Sequence, residues 1–461
     1  LYFTYINLIG VEFIMIIFLI ILLTISMLIF SVFNNIFLGY GLTISLILFS
    51  LVGLKKGKTA KELLKLYIFE SKRSLPIIYI LLLISILIST WLCCGTIPSI
   101  VYYSLKYLNP SLFVLFCFLI PALTSFLIGT SFGTVSAIGI PLIIIAEASG
   151  LNLNLVGGAI MSGAYFGDRC SPLSSSLLLL CDITKVELFH YVKKVFIFGI
   201  VPTIISILFY LYFSLKNPLT FIDNSLSTTL YDYFNINLVL LIPAIIIILL
   251  SLKKISITKS ITVSVVVAIL ISLFIQHTNL IDLLKYMIFG YENSSSLSQI
   301  IKGGGIISML KTCYLIIISC CLTGFFSGLN IFSELEQYLL KFKLNHTKIF
   351  SITFVLGLVV AAIGCSQTIA FILTIDILKN IYGDYDAEDI ALEFSNSAII
   401  TCALVPWCIA TLIPTSVLGI SNYKFIPYAI FLYIVPLCHL FYCIYLDRFR
   451  NKSDLKGDTS V

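Results

Sequence analysis

The sequence predicts an all-α membrane protein, and its composition, the length of its apolar blocks and the placement of its basic residues lead to that prediction. Of the 461 residues, 59% are hydrophobic and 11% are charged, whereas a soluble domain carries about 25% charged residues. Continuous apolar blocks lie at 11–30, 36–54, 75–92, 196–215, 238–252 and 425–445. Most approach the roughly 20 residues that a helix needs to cross a bilayer, and they lack the alternation of a barrel strand.

Basic residues indicate the orientation of the chain. The segment 54–74 holds seven of them, and further basic residues cluster near 185–194, 253–259, 341–348 and 448–452. The segments between these clusters hold far fewer. Because loops on the cytoplasmic side are enriched in Lys and Arg, the sequence predicts a multi-pass protein of the bacterial cytoplasmic (inner) membrane with both termini in the cytoplasm.

An internal repeat divides the chain. Pro172 reappears as Pro406 and Pro202 as Pro436, and the two pairs have the same spacing along the sequence. The Gly-Thr-Ser at 129–131 has its counterpart in the Gly-Cys-Ser at 364–366, at almost that spacing. Inverted repeats with paired helix breaks are typical of secondary transporters, whose substrate site lies near the midplane.

The repeat predicts an N-terminal half at 1–215, an outer linker at 216–235, an inverted C-terminal half at 236–446 and a cytoplasmic tail at 447–461. The predicted fold has about ten transmembrane helices plus two re-entrant hairpins and two broken helices. The hairpin tips lie near 129–134 and 364–368, and the broken helices near 167–172 and 401–406.

The breaks supply the candidate binding residues. Non-helical backbone within a membrane is tolerated where it is buried in protein or lines a cavity, and a proline frees a carbonyl one turn earlier. The polar stretches 163–176 and 396–407 are therefore expected to be unwound. The ion- or substrate-binding residues predicted here are Asp168, Arg169, Ser171, Ser174, Thr130, Ser131, Ser366, Gln367, Asn396 and Thr401.

Asp168 is the central candidate because a carboxylate embedded in the membrane is costly and indicates a functional site. Burial favours its neutral acid and a bound cation favours its carboxylate, so one side chain could exchange H+ for Na+. The alternative is a static salt bridge between Asp168 and Arg169 across unwound backbone. Glu147, Asp182 and Glu393 are expected to be solvated at segment ends, and the histidines are expected to lie at the membrane interface.

The stretch Gly-Ala-Tyr-Phe-Gly-Asp-Arg-Cys-Ser-Pro-Leu-Ser at 163–174 resembles the signature of the NhaC-type Na+/H+ antiporter family, within the ion transporter superfamily. The resemblance extends over nearly the whole chain and includes Leu-Val-Pro-Trp at 404–407. It implies Na+/H+ antiport, with relatives that exchange malate and lactate, and an elevator-like transport step. The family residues that the resemblance carries over to this chain are Asp168, Ser171, Ser174, Thr401 and Pro406.

The chain departs from the family pattern at several carboxylates. An acid common after the first break is Ser175 here, and an acidic pair before the second break is replaced by Ser395 and Asn396. The Asn common after the second Pro-Trp is Cys408. These losses leave the transported ion and the stoichiometry open.

Three functions follow from these observations. The first is a Na+/H+ antiporter in which Asp168, Ser171 and Thr401 bind Na+ as the transported ion. The second is a Na+- or H+-coupled exchanger of small organic anions of the malate or lactate type, held by Arg169. The third, a receptor or scaffold that transports nothing, does not account for the paired breaks. No catalytic residue, cofactor or nucleic-acid partner is predicted; the expected partners are Na+, H+ and the lipid bilayer, with small carboxylates and a homodimer left open.

Overall fold

The computed structural model describes residues 2–34, 36–55, 57–107, 109–219, 231, 233–253, 255–292, 302–328, 345–383 and 385–457. Within these ranges the chain is helical, and its only β-type pairing is the single bridge between Tyr291 and Gly303. Eight helices are long and apolar enough to cross a membrane, and a bent pair at 387–418 adds a ninth. The prediction of an all-α membrane protein is confirmed; the number of ten crossings stays a prediction.

The described part of the first half contains ten helices. They are α1 (Tyr2–Phe33), α2 (Leu38–Lys55), α3 (Ala60–Ser71), α4 (Leu75–Cys93), α5 (Thr96–Tyr107), α6 (Phe113–Ile128), α7 (Ser131–Ala148), α8 (Leu153–Cys170), α9 (Ser175–Thr184) and α10 (Leu188–Lys216).

The described part of the second half contains nine more. They are α11 (Ile242–Leu252), α12 (Ile257–Phe274), α13 (Leu280–Phe289), α14 (Leu310–Gly328), α15 (His346–Gly364), α16 (Gln367–Leu378), α17 (Ala387–Leu404), α18 (Ile409–Leu418) and α19 (Ile430–Gly457).

The first break of each half is a tight reversal of two residues. Gly129 ends α6 in the left-handed conformation (φ 76°), and extended Thr130 caps α7 by accepting a hydrogen bond from the Gly133 N–H. In the second half, left-handed Cys365 (φ 51°) and extended Ser366 separate α15 from α16. The left-handed conformation favours glycine, which accounts for Gly129.

The second break of each half is shorter than the sequence indicates. Only residues 171–174 are non-helical between α8 and α9, and only 405–408 between α17 and α18, which meet at 48°. The expectation that 163–170, 175–176 and 396–404 are unwound is therefore wrong, because these residues are helical, with a π turn at 395–399 and a 3-10 turn at 402–404. A Cβ added at Gly163 or Gly167 would collide with the backbone of α6, so these glycines permit close helix packing.

The two breaks of each half lie against each other. A Cβ placed on Gly129 would lie 2.5 Å from the Cβ of Leu173, and the Ile409 N–H donates to the Cys365 carbonyl over 2.8 Å. Each contact joins the left-handed residue of the first break to a residue in the second break of the same half or directly after it. Exposed backbone groups of one break are thus covered by the other, which is what non-helical backbone in an apolar layer requires.

Candidate functional site

Asp168 lies in the last turn of α8, where the helix meets the first pair of breaks. Its side chain is only 8% exposed. The Ser174 hydroxyl donates to Oδ1 over 2.9 Å, and the Ser131 hydroxyl donates to Oδ2 over 3.4 Å. Ser131 begins α7 and Ser174 precedes α9, so three separate helix ends converge on one carboxylate.

Local turns position these hydroxyls. The Ser174 Oγ accepts from the Leu177 N–H as the cap of α9 and lies 2.9 Å from the Ser176 Oγ. The Ser171 Oγ accepts from the Leu173 N–H over 3.2 Å and so stabilises the turn around Pro172. Ser and Thr favour such caps and turns because their hydroxyls bond nearby backbone groups. Ser171 is fully buried but shares no hydrogen bond with Asp168 in the described residues.

Arg169 points away from Asp168. Its Nε donates to Asn396 Oδ1 over 3.0 Å, its Nη2 donates to the same oxygen, and its Nη1 donates to the Val195 carbonyl over 3.5 Å. No ion pair joins Asp168 and Arg169 in the part of the chain that the structure describes. The static salt bridge is therefore contradicted, because the backbone here is helical and adjacent helical residues do not face each other.

Asn396 occupies a wide turn inside α17. Residues 395–399 form one π-helical turn, a local distortion that is frequent at functional sites. Since a guanidinium only donates hydrogen bonds, the contact with Arg169 fixes the orientation of the Asn396 amide. Its Nδ2 then donates to Nδ1 of His439 over 2.8 Å, a direction that follows from the network.

His439 is one of the residues that sequence reasoning misplaced. It is 2% exposed and lies against the rings of Phe350 and Phe198, at 4.4 and 5.1 Å between centroids. The prediction of an interfacial histidine is wrong here because α19 continues far beyond the apolar block and α15 covers this face. Glu393, predicted to be solvated, is likewise buried at 3% exposure. The predictions for Glu147 and Asp182 hold, since both are exposed.

Among the described residues, the remaining predicted residues share no hydrogen bond with Asp168. Thr401 donates to the Ser397 carbonyl over 2.8 Å, and Gln367 donates to the Ile399 carbonyl over 3.0 Å. Ser366 and Thr130 are half-buried at the two hairpin turns. The structure therefore brings together Asp168, Ser131 and Ser174 as one group and Arg169 with Asn396 as a second, while Thr401 and Gln367 stabilise the backbone of α17.

Tyr165 connects the carboxylate region with the second half of the chain. It lies one turn before Asp168 on α8, and its hydroxyl donates to the Ala410 carbonyl at the start of α18 over 2.6 Å. The sequence offered no signal for it, because a tyrosine among apolar residues is typical of any buried helix face. The contact places the end of α8 beside the break at 405–408.

The arrangement around Asp168 suits exchange of a small cation. Carboxylate and hydroxyl oxygens are the ligands that hard cations prefer. Within the described residues no basic side chain forms an ion pair with Asp168, so its charge is not already neutralised. A proton or a monovalent cation would each neutralise it, and burial of an uncompensated carboxylate is costly.

Comparison with known proteins agrees with these features. The profile of the Na+/H+ antiporter family matches residues 3–215 and 163–445. A malate-2H(+)/Na(+)-lactate antiporter of Bacillus subtilis (strain 168) is 29% identical over 410 residues, 87% of each chain. The Na(+)/H(+) antiporter NhaC of that organism is 25% identical over 410 residues, 86% of this chain and 90% of the relative. The arginine/ornithine antiporter ArcD of Halobacterium salinarum is 24% identical over 366 residues, 76% of this chain and 75% of the relative.

The family profile covers far more than half of the chain, and each of these relatives aligns over at least three quarters of its own length. The helical architecture and the paired breaks agree with the same assignment. The chain therefore belongs to the Na+/H+ antiporter family and is a multi-pass secondary antiporter.

Proposed function

We propose that the protein exchanges Na+ for H+ at Asp168 by alternating access. The observation that carries the proposal is a buried carboxylate that receives two hydroxyl hydrogen bonds and has no basic partner among the described residues. Because a basic partner would neutralise the carboxylate permanently, its absence leaves the charge available to a transported cation.

The exchange follows from the charge of the site. A proton makes the Asp168 side chain neutral, and a bound Na+ balances the charge of its carboxylate in the same way. Only the empty carboxylate carries a net charge, and moving that charge through an apolar layer is costly. The loaded forms therefore cross and the empty form does not, which couples Na+ movement to H+ movement.

The Na+ ligands are proposed in two groups. Asp168, Ser131 and Ser174 already lie together, and rotation of either hydroxyl turns an oxygen lone pair toward a cation. Ser171 and Thr401 complete the set proposed here, with Thr130, Ser366, Gln367 and Asn396 lining the two breaks. Ser171 and Thr401 would have to leave their present backbone partners to bind Na+.

The orientation in the bacterial cytoplasmic membrane belongs to the same proposal. The basic segment at 54–74 supports a cytoplasmic position for the α2–α3 connection and for both termini. The contact between the two breaks of each half, Gly129 with Leu173 and Cys365 with Ile409, supports two related halves, and the basic residues predict that the halves are inverted. Such halves place the carboxylate between them, near the midplane.

A second candidate function is exchange of small organic anions coupled to Na+ or H+. The observation that favours it is Arg169, a buried guanidinium whose described acceptors, the Asn396 amide, the Val195 carbonyl and the Cys170 sulfur, are all uncharged. Its planar fork suits a carboxylate. The malate and lactate named for one relative are anions of this class.

Purified protein in lipid vesicles separates the two functions. A Na+ gradient is imposed while a dye inside reports pH. Proton movement that needs no organic solute supports Na+/H+ exchange at Asp168, whereas movement only after malate or lactate is added supports the anion exchanger.

Replacement of Asp168 tests the site itself. We expect Asp168→Asn to reduce Na+-driven proton movement to that of protein-free vesicles, because an amide can neither release a proton nor neutralise Na+. Glu147→Gln removes an exposed carboxyl and should leave transport unchanged. Full transport by the Asp168→Asn protein would refute the assignment.

A further inference from the structure

Glu393 is a second buried carboxyl group, with other hydrogen-bond partners than the one to which exchange is assigned. It lies in α17 at 3% exposure, three residues before Asn396. No Lys, Arg or His nitrogen forms an ion pair with it in the ranges that the structure describes. We propose that Glu393 binds and releases a proton during the antiport cycle, in addition to the cation or proton bound at Asp168.

A chain of hydroxyl groups lets Glu393 adopt either ionisation state without moving heavy atoms. The Tyr382 hydroxyl lies 2.9 Å from Glu393 Oε2 and 2.7 Å from Thr353 Oγ1. The Thr353 Oγ1 in turn lies 2.9 Å from the Ile349 carbonyl. When Glu393 is protonated it can donate to Tyr382, which donates to Thr353, which donates to Ile349.

The ionised state is accommodated by rotating two O–H bonds. Tyr382 then donates to the Glu393 carboxylate, and Thr353 donates to either the Tyr382 oxygen or the Ile349 carbonyl. Buried polar groups are expensive when they lack partners, so a group that titrates in an apolar interior needs partners in both states. A hydroxyl can donate or accept, and both members of this chain are hydroxyls.

His439 does not supply a counter-charge. Asn396 donates to its Nδ1, so this nitrogen carries no proton and the imidazole is neutral, with its hydrogen on Nε2. The same argument speaks against a metal ion at Glu393, His439 and Cys443, whose ligand atoms lie within 4.8 Å of one another. Neither imidazole nitrogen has a free lone pair while the Arg169–Asn396–His439 chain persists. Within the described ranges, the Cys443 thiol and the Tyr382 hydroxyl are further titratable groups that face Glu393.

A surface cluster of charged residues gives protons access to Glu393. Asp389 precedes it by one helical turn on the same face of α17, about 6 Å along the axis. Its side chain is 46% exposed and lies 2.8 Å from Lys194 Nζ, which also contacts Glu388 at 3.3 Å. His190 approaches Glu388 at 3.6 Å. Asp389 is accessible to water, and the proposed route of protons to Glu393 leads through it.

Infrared spectroscopy tests whether Glu393 titrates, and this measurement does not require transport. Full-length protein in lipid is compared at acid and alkaline pH, and the C=O band of protonated carboxyl groups is followed. We expect Glu393→Gln to remove one buried component of that band, while Asp168→Asn removes a different one and Glu147→Gln removes neither. A Glu393→Gln spectrum identical to the parent spectrum would overturn the proposal.

A second variant keeps the test decisive should Glu393→Gln fail to fold. Tyr382→Phe retains the carboxyl group and removes the hydroxyl that bonds it. We expect its buried band to shift in frequency and in the pH at which it titrates. A band that keeps the parent frequency and midpoint in Tyr382→Phe would contradict the hydroxyl chain and the proposal with it.

Only the claim that the proton is transported rests on the proposed Na+/H+ exchange. In vesicles, Glu393→Gln should continue to move Na+ but with fewer protons per Na+ than the parent, measured from the Na+ gradient that balances a fixed pH gradient. An unchanged ratio would refute transport by Glu393. Absence of Na+-driven proton movement in the parent would instead refute the proposed function, and the infrared result would still decide whether Glu393 titrates.

Discussion

Arg169 illustrates how a single buried side chain links three helices. Its guanidinium lies at the end of α8, donates twice to Asn396 of α17 and once to the Val195 carbonyl of α10. The residue is 4% exposed. A buried cation without an acid needs partners for its donors, and here the Asn396 amide, the Val195 carbonyl and the Cys170 sulfur accept from the guanidinium. Arg169 is thus a buried cation with uncharged partners, next to Asp168 in the sequence.

Lysine should not replace this arginine. A lysine ammonium is a compact donor on a flexible stem and cannot reproduce two parallel contacts to one oxygen. Each hydrogen bond to a charged group contributes about 1.5–3 kcal/mol, so Arg169→Lys should lower the apparent melting temperature of the detergent-solubilised protein. Lys379→Arg, at an exposed position paired with Asp376, is the matched control. Equal melting temperatures for Arg169→Lys and the parent would show that the fork is dispensable.

At the scale of elements, the sequence predicted where helices are interrupted better than how far each interruption extends. Gly129 and the prolines at 172 and 406 mark positions where backbone conformation itself forbids a regular helix. Gly163 and Gly167 belong to a different class, because their small size serves contact with α6. Both kinds of position are simply glycine in the sequence. Only the neighbours in the structure distinguish a glycine that turns the backbone from one that leaves room for another helix.

The burial of Glu393 and His439 was not predictable for a related reason. Both lie near the ends of apolar blocks in the sequence, where a polar side chain ordinarily reaches water. In the structure α17 and α19 pack side by side with α15, and aromatic rings from α10 and α15 enclose His439. Whether such a side chain is exposed depends on which helices pack around it, and the local sequence pattern does not contain that information.

The contact between the two breaks of the first half can be tested at Gly129. Gly129→Ala places a methyl group 2.5 Å from the Leu173 Cβ and strains a residue at φ 76°. The left-handed conformation alone costs roughly 1–2 kcal/mol for a residue with a Cβ. Gly150→Ala has the same strain (φ 66°) but no atom within 4 Å of the new Cβ. We expect a lower melting temperature for Gly129→Ala than for Gly150→Ala. Equal melting temperatures would mean that the close contact between the two breaks does not affect stability.

At the scale of the whole molecule, the many contacts between the two halves include polar ones near the breaks. Tyr165 reaches Ala410, and Arg169 reaches Asn396, so α8 of the first half touches both helices of the broken pair in the second. Among the described residues, Asp168 accepts hydrogen bonds from hydroxyls of the first half, whereas its neighbours Tyr165 and Arg169 on α8 contact the second half. A relative movement of the halves would change both sets of contacts together, which is what alternating access at one site requires.

The predicted orientation in the membrane can be tested by labelling cysteines. The native thiols give little background, since twelve of thirteen are buried and Cys438 is partly buried. Lys58 and Lys424 are exposed and lie outside the spanning helices. With both termini in the cytoplasm, the loop near Lys58 is cytoplasmic and Lys424, which α19 separates from the C-terminal tail, lies outside, so an odd number of crossings separates the two lysines. In right-side-out membrane vesicles, a membrane-impermeant maleimide should label Lys424→Cys at once. It should label Lys58→Cys only after the vesicles are opened. The parent protein is the control for labelling of native thiols. Immediate labelling of Lys58→Cys alone would invert the topology, and immediate labelling of both would rule out an odd number of crossings between them.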